Sequence, residues 1–154
     1  LCMDQTHCAT TLTNILFEAT GAKDEVDLME GISSDYYHIF SFIAVEIIKA
    51  AQSGDTAAME VVQWAGEELG WLAISAARQI EMENDEVEVI QSGSIFEAGD
   101  IIMNPMREIV LKHLPKAKLI RLDGPPVVGA VILGMEQTHF DGYAVRGNMI
   151  RTSK

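Results

Sequence analysis

Histidine is the side chain best suited to acid–base chemistry near neutral pH, but the four histidines of this chain match no catalytic or metal-binding spacing. They are scattered along the sequence as His7, His38, His113 and His139. None belongs to an H-E-x-x-H or H-x-E pattern, and the sequence contains neither a G-x-S-x-G elbow nor a G-x-x-x-x-G-K-S/T loop. The sequence therefore predicts no catalytic or metal site within this chain.

One stretch, residues 87–96 (VEVIQSGSIF), has the pattern of a ligand-binding turn. Its alternating β-branched residues predict a strand over 86–91, which ends at the small residues Ser92, Gly93 and Ser94. Ligands bind open α/β sheets at the carboxyl ends of strands, and a glycine there lets a ligand approach the backbone. Short turns of small residues also serve as ordinary connections, so both interpretations stay open.

Four stretches, taken in order, resemble the C-terminal half of the BadF/BadG/BcrA/BcrD ATPase family, especially its N-acetylglucosamine-kinase-like members. They are residues 50–58 (AAQSGDTAA), 89–96 (VIQSGSIF), 114–120 (LPKAKLI) and 125–134 (PPVVGAVILG). The resemblance covers about residues 10–136. That family belongs to the sugar kinase, Hsp70 and actin superfamily.

The resemblance implies a nucleotide site. In such proteins two ribonuclease-H-like lobes clamp ATP and Mg²⁺, and the C-terminal lobe offers a small-residue turn to the adenosine. That turn corresponds to Ser92, Gly93 and Ser94 here, with Ser92 at a position where many relatives have glycine. The matched region has no cysteine of the kind that holds an iron–sulfur cluster in the dehydratase activators, which favours the sugar-kinase branch.

The phosphate loops and catalytic acid of the family have no counterpart in these residues. Phosphoryl transfer needs a metal-held phosphate cradle and a positioned nucleophile. The resemblance therefore implies a truncated or detached adenosine-side lobe of an ATP-dependent N-acetylhexosamine kinase or related ATPase. Such a lobe binds ATP or ADP with Mg²⁺ weakly and is inactive by itself, unless a separate N-terminal lobe joins it. The alternative is a non-catalytic interaction module that reuses the lobe for oligomerisation.

The first half of the chain, residues 10–84, is predicted to be helical. Apolar spacing predicts helices over 10–20, 24–31, 36–53 and 56–83, with the third buried on most sides. Gly66, Gly70, Ala73 and Ala77 share one face of the last helix, where small residues admit a close neighbour.

Residues 86–136 alternate between strand and helix patterns. We expect strands over 86–91 and 118–122, a helix that begins at Asn104-Pro105, and an apolar helix over 127–135. This order implies a parallel crossover that places the two strands side by side. We therefore expect a helix-dominated α/β fold, a partial ribonuclease-H-like lobe with a small, mostly parallel sheet, as one domain over 1–136. Residues 137–154 show no clear pattern and are predicted to form a tail or arm.

Trp64 and Trp71 lie two helical turns apart beside polar residues. They fit either two tryptophans at the edge of the core or an interface, where tryptophan is enriched. An incomplete lobe leaves a sheet edge and an apolar face uncovered, and such an edge invites pairing. We therefore expect a homo-oligomer.

Composition restricts the partners and the compartment. A net charge of −12 opposes binding to nucleic acid and to anionic membranes. No apolar run approaches the length of a membrane span. Cys2 and Cys8 lack the paired C-x-x-C spacing of metal sites, and a disulfide between them would close a loop too small to stabilise a core. We expect free thiols in a soluble, cytoplasmic protein.

Overall fold

The computed structural model describes residues 10–122 and 124–152. In chain order, its elements are the helices α1 (Leu12–Thr20), α2 (Glu25–Ser33), α3 (Ile43–Gln52) and α4 (Thr56–Gln79), the strand β1 (Glu88–Gln91), a 3₁₀ helix (Ser94–Ala98), the helix α5 (Asp100–His113), the strand β2 (Lys118–Arg121), and the helices α6 (Val127–Gln137) and α7 (Gly142–Thr152). Cys2, Cys8 and His7, and with them the prediction of free thiols, lie outside the described residues.

The fold is a helix-dominated α/β arrangement with a two-stranded parallel sheet, as predicted. β1 and β2 pair in the register Val89 to Leu119 and Gln91 to Arg121. α4 and α5 pack against each other and supply most of the buried core. Val87, Val89 and Leu119 pack onto the same core, so the helix pair covers one face of the sheet.

The small-residue face of α4 is where α5 approaches. A Cβ atom at Gly66 would lie 2.6 Å from the carbonyl oxygen of Ile102 and 3.1 Å from the Cβ of Pro105. At Gly70 it would overlap the side chain of Ile109. The two glycines thus allow the two helix backbones to come into direct contact, as their spacing predicted.

Caps and a glycine set several helix ends. Gly21 ends α1 in the left-handed conformation (φ +75°). The carboxylate of Asp24 caps α2 by accepting from the amide of Asp27. Asp55 caps α4 in the same way, by accepting from the amide of Ala58 at 3.0 Å. α4 ends at Gln79, about a turn earlier than predicted.

The prediction of one helix over 36–53 is wrong in its first part, because α3 begins only at Ile43. The chain turns back onto α2 at Tyr36 and Tyr37 instead. The amides of Tyr36 and Tyr37 both donate to the carbonyl of Gly31, and the Tyr37 ring occupies the space that a side chain at Gly31 would need. The Tyr37 hydroxyl donates to Asp27 at 3.0 Å. The predicted burial is also wrong, since Phe40, Phe42 and Val45 are exposed.

The prediction that a helix begins at Asn104-Pro105 is wrong. α5 begins at Asp100, directly after Gly99, whose φ of +74° breaks the preceding 3₁₀ helix. Pro105 is the sixth residue of α5 and lies in its second turn. At that place proline lacks the amide that would bond to the carbonyl of Ile101, which is unfavourable in a helix. α5 nonetheless continues to His113, packed against α4.

Residues 142–152 form α7, a helix that the sequence pattern did not predict. α7 packs against α6, and Gly142 is buried where a Cβ atom would lie 2.9 Å from the Cα of Ile132. None of the helices in the described part of the chain is both long and apolar enough to cross a membrane.

Candidate functional site

The turn after β1 is held by residues that are distant in sequence. The Arg121 guanidinium, at the end of β2, donates from Nη1 to the carbonyl oxygen of Gly93 at 3.1 Å and to that of Gln91 at 3.5 Å. Its Cζ atom lies 5.5 Å from the centre of the Phe96 ring, which is itself buried. The turn is therefore anchored from the second strand and from the 3₁₀ helix that follows it.

Gly93 adopts a backbone conformation that other residues rarely take. Its φ is +112° and its ψ is 161°, and a Cβ atom built there would meet no atom within 4 Å. Glycine is needed here for the backbone conformation, while the space above the residue is open. Ser92, Gly93 and Ser94 are all exposed, so the predicted turn presents its backbone at the surface.

A groove of about 420 Å³ runs between α3 and the 3₁₀ helix, next to this turn. We call it the α3 groove. Ile48, Lys49 and Gln52 line it from α3, and Ser94, Ile95 and Glu97 line it from the 3₁₀ helix. Of the three predicted adenosine-site residues, Ser94 lines the groove directly, and Ser92 and Gly93 precede it in the turn.

The α3 groove has apolar walls and a polar rim. Ile48 and Ile95 supply aliphatic surface, and Gln52 and Ser94 supply an amide and a hydroxyl. Lys49 places a cation at the rim, where its Nζ atom pairs with Glu46 at 2.8 Å. Small-molecule pockets have this make-up, with an apolar lining and a few polar groups, and volumes of roughly 300–1,000 Å³.

The two tryptophans have different environments. Trp71 packs against the core, and its ring centre lies 4.7 Å from that of His113. Trp64 has 63% of its surface exposed. The structure thus places Trp71 in contact with its own chain and leaves Trp64 accessible, and their role in an interface stays a prediction.

Comparisons with models of protein families and with curated proteins find no match to this chain. Within residues 10–122 and 124–152, no three His, Cys, Asp or Glu side chains come together as ligands for a metal ion.

Sequence reasoning missed Arg121, Lys49 and Gln52 as site residues. Arg121 could have been found from the parallel register, since the last residues of two paired strands lie side by side and Gln91 directly precedes the turn. No sequence signal identifies Lys49 or Gln52, because their place in the groove depends on how α3 packs beside the 3₁₀ helix.

Proposed function

We propose that this chain is the adenosine-side, partly ribonuclease-H-like lobe of an ATP-dependent N-acetylhexosamine kinase or BadF-type ATPase. In this proposal the α3 groove binds the nucleoside of ATP or ADP. The chain alone turns over no nucleotide, because the described residues that line the groove contain no phosphate loop and no metal ligand cluster.

The observation that carries the proposal is the position of the turn. The small residues singled out by the sequence lie at the carboxyl end of β1, and the α3 groove opens directly beside them, with Ser94 in its wall. The carboxyl ends of parallel strands are the usual place for ligands in α/β folds. Two independent features, a sequence pattern and a cavity, therefore coincide.

The chemistry of the groove suits a purine nucleoside. A purine is a flat ring with hydrogen-bonding edges, and it fits between aliphatic walls such as Ile48 and Ile95. Gln52 can both donate to and accept from a purine edge, and the Ser94 hydroxyl can do the same for a ribose. Arg121 places positive charge near the turn. At the groove the charge of Lys49 is paired with Glu46, and Glu97 adds a carboxylate, so the groove itself suits the neutral nucleoside rather than the phosphates.

Thermal unfolding with ATP and Mg²⁺, and with ADP, tests the proposal. A ligand at about 100 times its Kd stabilises a protein by about 2.7 kcal/mol. We expect a stabilisation that Ser94→Phe removes by filling the groove, while the exposed control Ser75→Phe on α4 retains it. No stabilisation by millimolar nucleotide would overturn nucleotide binding. Equal stabilisation of a folded Ser94→Phe variant would place the site elsewhere.

One observation favours the second candidate, an oligomerising module. Ile90 and Ile120 are direct partners in the sheet, and both are exposed on the face opposite α4 and α5. Parallel sheets are normally covered on both faces. If a second copy covers this face, light scattering will show a dimer that Ile120→Lys converts to a monomer without loss of nucleotide binding.

A further inference from the structure

A second groove of about 260 Å³ lies between α4 and β1. We call it the edge groove. Ala73, Ala76, Ala77 and Ile80 line it from α4 and its C-terminal end, and Val87 and Val89 line it from the β1 side. No residue of β2 or α5 takes part, so the edge groove lies on the side of β1 that faces away from β2.

Among the described residues no strand pairs with that side of β1, which is therefore a strand edge. The sheet of the described chain has two strands, and β2 occupies the other side of β1. The amide of Lys118 bonds to the carbonyl of Val87, and that of Leu122 bonds to the carbonyl of Gln91. Since backbone groups alternate in direction along a strand, the amides and carbonyls of Glu88 and Ile90 point toward the free edge.

The edge groove has the features of a strand-addition site. An added strand can form main-chain bonds with Glu88 and Ile90, and every second side chain can enter the groove beside Val87 and Val89. The wall formed by α4 consists of small alanine side chains, which leave room for β-branched residues. Ile80 is 64% exposed at the end of the groove and can cover the incoming side chains.

The charge beside the edge groove indicates which kind of partner polypeptide it binds. The turn from α4 into β1 is strongly acidic, with five carboxylates among residues 81–88, at Glu81, Glu83, Asp85, Glu86 and Glu88. Lys118 neutralises Glu86 through a contact of 2.6 Å, and Lys116 donates to the carbonyl of Asn84. One carboxylate oxygen of Glu83 is buried and has no hydrogen-bond donor among the described residues. The local excess of negative charge favours a basic partner and opposes a second copy of this acidic chain.

We propose that the edge groove binds an extended segment of a partner polypeptide, in which β-branched residues alternate and a lysine or arginine lies next to Glu88. The segment adds to the sheet as a third strand, beside β1. This inference is independent of the nucleotide proposal, because no residue of the edge groove lines the α3 groove.

A labelled synthetic peptide of alternating valine and threonine, with lysine at both ends, is the probe, and fluorescence anisotropy with the full chain is the measurement. We expect saturable binding below millimolar concentration, and binding about tenfold weaker for the same peptide with glutamate in place of lysine. Absence of saturable binding of the lysine peptide would overturn the inference. Equal binding of both peptides would overturn the charge argument.

Two variants with matched controls locate the contact. Ala76→Arg fills the edge groove, and its control Ser75→Arg adds the same charge at the adjacent exposed position. Glu88→Lys reverses the charge at the edge, and its control Glu60→Lys lies on α4 away from the edge groove. We expect each variant, and neither control, to weaken binding of the lysine peptide about tenfold. If Ala76→Arg binds as the control does, the groove is not the site. A dimer that Ala76→Arg dissociates would identify a second copy as the occupant and overturn the assignment to a basic partner.

Discussion

The side chain of Arg121 donates to the main-chain carbonyl of Gly93, so the end of β2 holds the turn that follows β1. The two residues are 28 positions apart, and the whole of α5 lies between them. The same guanidinium lies over the Phe96 ring, which links the turn to the buried core. Because the Gly93 carbonyl is occupied by this bond, the turn has a defined orientation beside the α3 groove before any ligand binds.

Arg121→Met tests this anchoring role. Methionine keeps an apolar stem over Phe96 but removes the donor, so we expect a loss of about 1 kcal/mol of stability. We also expect weaker nucleotide binding, since the turn is no longer held. Urea unfolding and nucleotide titration measure the two effects. The control Arg107→Met, at an exposed position on α5, should change neither.

Gly93→Ala should destabilise the protein through its backbone. The φ of +112° is unfavourable for any residue with a Cβ atom, and such strain costs about 1–3 kcal/mol. Gly129→Ala in α6 is the matched comparison, because a Cβ atom there also meets nothing within 4 Å but the backbone is helical. It should stabilise by about 0.5–1 kcal/mol. Thermal unfolding that moves both variants in the same direction would contradict this interpretation.

Gly66→Ala should be among the most destabilising single-methyl additions to α4. The new Cβ atom would lie 2.6 Å from the carbonyl oxygen of Ile102, a backbone atom that cannot move without shifting α5. We expect a loss of about 2 kcal/mol in urea unfolding, within the range for overpacked sites. Gly134→Ala, in α6 with open space around it, is the control and should not destabilise.

Gly70→Ala clashes mainly with the side chain of Ile109, and its Cβ atom would also lie 3.1 Å from the carbonyl oxygen of Met106. Ile109→Ala removes the clashing methyl group, so the double variant should be more stable than the sum of the two single losses predicts. A double-mutant cycle measures this coupling, which we expect to be about 1 kcal/mol. Strict additivity would show that α5 shifts as a whole in both variants.

Asp55 should make stability depend on acid pH. Its carboxylate accepts from the amide of Ala58 and from that of Thr11, and these bonds hold the pKa of Asp55 well below its usual range. A carboxyl group with a lowered pKa in the folded state contributes stability above its unfolded pKa of about 4, and loses that contribution as the pH falls further. Asp55→Ala should therefore cost about 1–2 kcal/mol at neutral pH, as a lost helix cap does.

Below about pH 4 the difference between Asp55→Ala and the unchanged protein should shrink. Asp55→Asn is the control that keeps a capping oxygen but has no titrating group, so its stability should fall less steeply with acid. Urea unfolding across the acid range measures all three proteins. A difference that stays constant down to about pH 2 would show that the carboxylate does not act through its charge.

The local features of this chain followed from its sequence because they depend on neighbouring residues. Asp55 caps the helix that follows it, Gly21 ends α1, and the alternation around Val89 marks β1. The order of the elements was also enough to predict the parallel pairing of β1 with β2, since a helix between two strands returns the chain in the same direction.

The wrong predictions arose where another residue or a packing contact overrode the strongest local helix signal. Asn104-Pro105 is a typical helix start, yet α5 begins at Asp100, because Gly99 breaks the chain earlier and α4 packs along the first turns of α5. The apolar run from Tyr36 to Phe42 favours helix, but Tyr37 packs on Gly31 and turns the chain back.

Part of the candidate site could likewise be predicted from the sequence, and part could not. Ser92, Gly93 and Ser94 could be predicted as a turn, since small residues after a strand are a local signal. That Arg121 holds this turn, and that Gln52 and Lys49 face it across the α3 groove, was decided only by the tertiary structure. The physical reason is that these hydrogen bonds and cavities form between elements that are far apart in the sequence. Distance along the sequence does not tell how close two elements lie in the folded chain. The packing of α3, α4 and α5 around one core brings them together.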